Sequence, residues 1–274
     1  MFEYLEDELR HKELLYNKQS IINQLSKTFL EKSLGKNLGK VGIGFSGGVD
    51  SSLLALLCSK LKIKFKLYTV GLENSKDVIE AIKISKTMKW PIKIKILTLI
   101  EAEQIIRKVV DILDSDDVTR IGVGCVTYCV CKMAKDDKIK TVLTGLGSEE
   151  LFAGYERHKK NIYEECWQGL RNIEERDITR DEEIAKHFKI KLLLPFLNED
   201  LVKIAMIIDP ELKIKDDVNK YILRETAVNL GLKKEFAFRK KIAAQYGSKF
   251  DRAILRLARK NKFKYKKDFL KSLM

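Results

Sequence analysis

The chain is 274 residues long, with 53 Lys and Arg against 39 Asp and Glu, a net charge of +14 and 45% hydrophobic residues. This composition is too apolar for a disordered chain, and no apolar run approaches the roughly 20 residues of a membrane helix. The acidic start Met1-Phe-Glu-Tyr-Leu-Glu-Asp-Glu lacks a signal-peptide layout, and an odd number of cysteines, five, argues against a disulfide framework. A soluble cytoplasmic protein with no membrane segment is the expectation.

Within residues 1–37, Ile21, Ile22, Leu25, Phe29 and Leu30 recur at helical spacing, so this region reads as one or two amphipathic helices broken by Gly35 and Gly39. Val41-Gly-Ile-Gly-Phe45 predicts a short strand, followed by a glycine turn and a helix from Ser51 to Lys60. A second strand over Phe65–Val70, a helix over Ser75–Met88 and a third strand over Pro91–Leu97 follow. Helices over about 101–113 and 122–136 then lead to a fourth strand, Thr141–Thr144. Strands alternating with helices imply an α/β fold, a doubly wound parallel sheet with ligands at the carboxyl ends of its strands. After about residue 150 the chain is expected to be mostly helical. The predicted organisation is N-terminal helices (1–38), an α/β core (39–157), a helical part completing the site (158–250) and a basic helix or tail (251–274).

Ser46-Gly47-Gly48-Val49-Asp50-Ser51-Ser52 lies between the first strand and its helix. Two glycines let the backbone turn its N–H groups onto an anion, three serines add hydroxyls, and the helix directs its positive end to the same spot. Asp50 beside phosphate makes sense if a divalent cation such as Mg2+ lies between them. No Lys follows the glycines, which excludes the GxxxxGK[ST] loop.

The second segment with this character is Thr144-Gly-Leu-Gly-Ser-Glu-Glu-Leu-Phe-Ala-Gly-Tyr-Glu-Arg-His158. It reads as a glycine turn and a helix capped by Ser148, with Glu149 and Glu150 in the first turn. One of these acids facing Asp50 would complete an oxygen site for Mg2+.

The Ser46–Ser52 loop resembles the SGGxDSS pyrophosphate loop of the ATP pyrophosphatases. The second string is similar to the G-x-G-[SA]-D-E-x-F-x-G-Y motif of their asparagine synthetase branch. Tyr68–Asp77, Pro195-Phe-Leu-Asn198, Lys220-Tyr-Ile-Leu-Arg224 and Arg239–Ser248 extend the resemblance over roughly residues 15–255, in a form closest to standalone asparagine synthetase-related proteins. The resemblance implies an adenine nucleotide alpha hydrolase-like fold. It also implies an activity that splits ATP to AMP and pyrophosphate and passes an adenylated group to a nucleophile. Carried over residue by residue, it gives Ser46, Gly47, Gly48, Ser51 and Ser52 to pyrophosphate and Val70, Gly71, Thr144 and Gly145 to the rest of ATP. Asp50 and Glu149 fall to Mg2+, with Glu149 one methylene longer than the family's Asp. Lys241 aligns with the lysine that offsets charge on the α-phosphate in the transition state.

Departures cluster on the acceptor side. Leu146 stands where the family has a catalytic base, and a leucine takes no proton. Asn198 replaces an Asp, Lys191 and Leu193 replace a Glu and an Arg, and Gly122 stands at the position of a substrate-side Arg. Phe2 follows Met1 where a glutaminase domain would need its cysteine, so nitrogen is expected as ammonia or from a separate glutaminase subunit.

The charge is uneven. From Lys233 to Met274 fifteen basic residues face three acids, +12 of the total, leaving +2 for the first 232 residues. Arg252, Arg256 and Arg259 at helical spacing, with Ile254, Leu255 and Leu257 opposite, form an amphipathic helix and a candidate nucleic-acid surface; a solvated face with a frayed lysine tail is the alternative. Cys125, Cys129 and Cys131 share one predicted helix, with no CxxC pair, which fits buried thiols better than a metal or sulfur-carrier role. Three functions remain open. The first is an asparagine synthetase-type adenylating enzyme acting on a small-molecule acceptor. The others are a tRNA-modifying enzyme and a nucleotide-binding regulator whose catalysis has decayed.

Overall fold

Alternation of strand and helix along the first two-thirds of the chain builds one parallel sheet. Its strands are β1 (Val41–Gly44), β2 (Phe65–Leu72), β3 (Ile92–Leu97), β4 (Thr141–Leu143) and β5 (Lys191–Leu193), hydrogen-bonded in the order β3-β2-β1-β4-β5. The structure is a computed structural model and describes residues 2–35, 38–240 and 243–274. β1 to β4 stand where the sequence places them. β5 comes from the half expected to be helical, and at three residues it is too short to show a strand periodicity. The chain builds outward from β1 through β2 to β3, then crosses to β4 and β5 on the other side. Strand order therefore reverses between β1 and β4, where open α/β sheets bind ligands.

Side-chain alternation divides the strands between two hydrophobic cores. Val41, Ile43, Leu67 and Leu143 enter the first, with helices α1 (Glu3–Leu9), α2 (Lys18–Glu31), α3 (Val49–Lys60) and α4 (Lys76–Met88). Tyr68, Val70, Leu72 and Val142 enter the second, with α5 (Leu99–Leu113) and α6 (Val118–Asp136). On this face β1 offers only glycine. A Cβ on Gly42 would lie 2.9 Å from the Tyr68 ring, and one on Gly44 would lie 3.7 Å from Val130 of α6. The helices start at polar caps: Asn17 accepts the Ser20 N–H of α2, and Thr98 with Glu101 forms a reciprocal capping box on α5.

The second half continues through α7 (Ser148–Leu151), α8 (Ile162–Ile173) and α9 (Thr179–His187), with a π-helical turn, Glu174–Ile178, joining the last two. The basic C-terminus forms a helix, Phe250–Lys260, that buries Phe250, Ala253, Ile254 and Leu257 in the second core. Its other face exposes Arg252, Arg256, Arg259 and Lys260. A last helix, Lys266–Lys271, buries Phe269 and Leu270, so the end of the chain is anchored and not a frayed tail. Among the described residues no helix is long and apolar enough to cross a membrane.

Candidate functional site

At the carboxyl end of β1 the chain turns through Gly47, at φ +68°. A Cβ there would also press on Ile84 at 3.0 Å, so a side chain fits neither the backbone nor the space. Helix α3 starts at Val49, two residues before the predicted start, which puts Asp50 and Ser51 in its first turn. The first-turn N–H groups of this helix, which have no partner within the helix itself, point toward the loop in which the sequence suggests an anion. Ser46 Oγ accepts the Gly48 N–H at 3.4 Å, and Ser51 Oγ donates to the Gly48 carbonyl at 3.3 Å. Ser52 is fully buried, and its hydroxyl has no partner among the described residues. A buried hydroxyl left unpaired is costly unless a ligand answers it.

Arg239 braces the loop from behind. Its Nε donates to the Gly47 carbonyl at 3.1 Å and its Nη2 to the Ser46 carbonyl at 3.0 Å. This role was not predicted. The two sites are more than 190 residues apart, and nothing local marks this contact.

At the end of β4, Thr144 Oγ1 accepts the Leu146 N–H at 3.2 Å. The chain then passes Gly147 at φ +92°, where a Cβ would collide with the Leu197 side chain. Ser148 is the first residue of α7 and not its cap; Gly147 holds the cap position, and no side chain caps the helix. Ser148 Oγ serves elsewhere, accepting from the Lys220 ammonium at 3.0 Å. The same ammonium lies 2.8 Å from Asp50 Oδ1 and 2.9 Å from Glu149 Oε1. Thus the two carboxylates assigned to metal do converge, across 99 residues of sequence, with a lysine between them. Burial opposes the charge on Lys220, but Asp50 and Glu149 outweigh it and raise its pKa.

Lys220 sits at φ +57°, an unusual backbone state for a side chain this large. Arg224 holds it there. Its Nε donates to the Asn219 carbonyl at 2.7 Å, and its Nη1 reaches the carbonyls of Ala237 at 2.6 Å and Arg239 at 3.1 Å. One buried guanidinium therefore fixes both the lysine and the arginine that bracket the site. The K-x-x-L-R string pointed to this helix; the role of its first and last residues emerges only from the fold.

Asp50 and Glu149 border a cavity of about 750 Å3, a volume suited to a nucleotide with space beyond it. Ser46, Asp50, Ser51, Val70, Thr144, Gly145 and Glu149 line it. Gly47, Gly48 and Ser52 support the loop without lining the cavity. Gly71 lies behind the wall, where a Cβ would collide with Ser75, itself bonded to the Gly247 carbonyl at 2.8 Å. Lys241 lies outside the described residues; Ala243 and Ala244, just beyond it, line the cavity.

Of the departures, Leu146 faces the cavity, and Gly122, Lys191, Leu193 and Asn198 do not line it. Leu146 lines the cavity together with Val123, Val126 and Leu192. Gly122 backs onto Gln245, whose Cβ would lie 2.9 Å from any Cβ at 122, so an arginine there would displace that residue. Asn198 does not line the cavity; it caps the helix Glu199–Met206 by accepting the Leu201 N–H. From the π-helical turn, Arg176 pairs with Glu150 at 2.7 Å and with Asp177 at 2.6 Å, while Arg180 pairs with Asp177 and Asp181 at 2.8 Å each. Burial pushes the Glu150 carboxyl up, against the pull of Arg176. The Arg157 guanidinium lies over the Tyr155 ring, 4.2 Å from its centre, and the His158 ring stacks on Tyr155 at 5.5 Å. His158 is fully buried and its Nδ1 accepts the Tyr155 N–H at 2.9 Å. Cys125, Cys129 and Cys131 are all buried, and burial pushes Cys129 and Cys131 up to about 12.

Among the described residues no group of three or more His, Cys, Asp or Glu could enclose a metal. Asp50 and Glu149 already share one cation, the lysine ammonium, so their oxygens are placed to share a cation. A Mg2+ held by two carboxylates takes its other oxygens from water and phosphate, which suits a nucleotide-borne ion.

The asparagine synthase family model matches residues 30–167 and 160–267. A Methanocaldococcus jannaschii protein with the provisional name asparagine synthetase (glutamine-hydrolyzing) 1 is 33% identical, over 93% of this chain and 55% of its own length. Asparagine synthetase (glutamine-hydrolyzing) 1 of Lotus japonicus is 28% identical, over 67% of this chain and 34% of its own length. The chain thus spans about half the length of the first of these relatives and a third of the second. Among solved structures, the U34-tRNA thiolase NcsA from Methanococcus maripaludis, with its 4Fe-4S cluster, superposes at a TM-score of 0.44 with 17% identity, over 93% of this chain and 78% of that one. The family match runs through both the glycine-serine loop after β1 and the turn after β4, and on that ground the chain belongs to the asparagine synthase family.

Proposed function

We propose that this chain is the adenylating part of an asparagine synthetase-type enzyme. The observation that carries this reading is the meeting of the Ser46–Ser52 loop and the Thr144–Glu149 turn at the β1–β4 reversal, around Asp50 and Glu149. ATP would lie with its adenosine toward Val70 and Thr144. Its β- and γ-phosphates would lie on the first-turn N–H groups of α3 and the hydroxyls of Ser46, Ser51 and Ser52. Asp50 and Glu149 would hold Mg2+, which supplies charge neutralisation on the phosphates. An acceptor carboxylate oxygen attacks the α-phosphorus, the bond to the β-phosphate breaks and pyrophosphate leaves. A nitrogen nucleophile then attacks the acyl carbon and AMP departs, with the proton passing to solvent. Lys241 is assigned to the charge developing on the α-phosphate. Leu146 supplies no base, so either another group takes the proton or the nucleophile arrives unprotonated, as ammonia or an amine, from solution or from a separate glutaminase subunit.

The test is Mg2+-dependent exchange of labelled pyrophosphate into ATP across a panel of carboxylic acids. Exchange in the parent protein and its loss in Asp50→Asn support the reading; undiminished exchange in that variant overturns the assignment of the loop. ATP binding without exchange on any acceptor identifies the decayed regulator instead.

A second reading, an RNA acceptor, is favoured by one observation: the exposed face of Phe250–Lys260 aligns Arg252, Arg256, Arg259 and Lys260. Removing residues 250–274 would strip Phe250, Ile254, Leu257 and Phe269 from the second core, so charge reversal is the cleaner probe. Salt-sensitive tRNA binding that falls when Arg252, Arg256 and Arg259 become Glu supports this reading, and unchanged binding removes it.

A further inference from the structure

The Lys220 ammonium lies within 3 Å of both proposed metal carboxylates. It is built into place. All three of its protons are used, on Asp50, Glu149 and Ser148, and the residue is 4% exposed. Its backbone is fixed through Asn219, whose carbonyl takes the Arg224 Nε bond and whose amide donates to the Gly154 carbonyl at 3.1 Å. Gly154 completes the cradle, since a Cβ there would overlap both the Glu149 carboxylate and Lys220 Cε. A surface lysine caught by chance would have neither a glycine cleared for its tip nor an arginine anchoring its main chain.

We propose that Lys220 is the resident counter-ion of the Asp50–Glu149 pair, and that a divalent cation enters this pair only together with a polyphosphate that draws the ammonium away. The inference rests on the adenylating function proposed above and adds an order of binding to it. Without Lys220, the buried Asp50 and the part-buried Glu149 would face each other with the ammonium between them gone, a less favourable arrangement for two like charges. With Lys220 in place, a bare dication would meet a positive charge about 3 Å from the oxygens it needs. A triphosphate on the α3 N-terminus changes both terms. It offers the ammonium new acceptors and offers the metal the oxygens the protein lacks. Lys220 is therefore a positioning residue: it keeps the carboxylates aligned and closed to free metal until nucleotide arrives.

The test is Mn2+ uptake, read from the loss of the free-ion electron paramagnetic resonance signal, with and without a non-hydrolysable ATP analogue. The parent protein should take up Mn2+ with the analogue and at least about tenfold more weakly without it. Lys220→Gln should take up Mn2+ without nucleotide, about tenfold or more tighter than the parent under the same condition. Equal nucleotide-free uptake by parent and variant overturns the inference while leaving the adenylating function intact. Failure of the parent to take up the analogue overturns both. Should Lys220→Gln not fold, the 15N-detected ammonium signal of Lys220 in the parent protein decides the matter. It should stay unmoved by Mg2+ alone and shift with Mg2+ plus analogue; a shift with Mg2+ alone overturns the inference.

Discussion

Gly154 lies so close to Glu149 that the space a Cβ would need is filled by the Glu149 carboxylate and the tip of Lys220. The glycine is thus required by an ion pair on its neighbours and not by its own backbone, since it is absent from the glycines with positive φ. Gly154→Ala should drive the carboxylate from the ammonium. The expected outcome is a stability loss of about 1–3 kcal/mol in denaturant titration, as for other overpacked sites. Pyrophosphate exchange should fall by about two orders of magnitude, as a small misplacement of a catalytic constellation does. Gly39→Ala, with nothing within 4 Å of the added carbon, serves as the neutral control.

Glu150 and Arg176 form a second dependency. Glu150 is 2% exposed and Arg176 only half-buried, so the arginine can lose its partner cheaply and the acid cannot. Arg176→Met should destabilise by about 2 kcal/mol at neutral pH. Burial already raises the Glu150 pKa, and losing Arg176 raises it further. The folded state then binds a proton that the unfolded state has released, so stability falls as pH rises through this range. The deficit should be smaller at about pH 5 than at about pH 8. Adding Glu150→Gln should recover most of it; a double variant as unstable as the single one would refute the pairing.

His158 titrates with the opposite sign. Its pKa is pushed down to about 4 from 6.5, by burial first and then by Arg157. Below pH 6.5 the unfolded chain takes up a proton that the folded chain refuses. Its contribution is therefore complete above 6.5 and is lost as pH falls toward 4. Over that interval the parent should lose up to about 3 kcal/mol more stability than His158→Gln. Parallel stability curves for the two proteins would show that the imidazole is not held neutral.

Asn198 stands at a position where the family motif has Asp, yet it works as a helix cap outside the cavity. Asp caps as well as Asn, so Asn198→Asp should leave stability within about 0.5 kcal/mol and pyrophosphate exchange unchanged. Asn198→Ala should cost about 1 kcal/mol without altering exchange. A change in exchange with Asn198→Asp would place this residue in the chemistry after all.

The parts of the site written in consecutive residues were legible in the sequence. Ser46–Ser52 announces itself because its glycines, hydroxyls and helix start act within one turn. Thr144–Glu149 does so for the same reason, although Gly147, and not Ser148, holds the cap position of α7. The strings that hold Lys220 and Arg239 were legible, but the roles of these two residues were not, because each acts on a group 170 or more residues away. β5 escaped because three residues contain no measurable period. The π-helical turn escaped because its charged residues resemble any solvated helix face.

The pairing of β1 with β4 has a consequence for how the molecule assembles and opens. Gly42 lies beside Val142, a separation of about 100 residues, whereas Val41 lies beside Phe65. The β1–β4 seam therefore closes the longest loop in the sheet, at the largest cost in chain entropy among its pairings. Its β4 side rests on two or three ladder positions, the shortest pairings in the sheet. A nucleotide bridging the two strand ends would staple the weakest seam of the molecule. Amide hydrogen exchange at Val142 and Leu143 should accordingly slow more on nucleotide binding than exchange at Leu67 or Thr69.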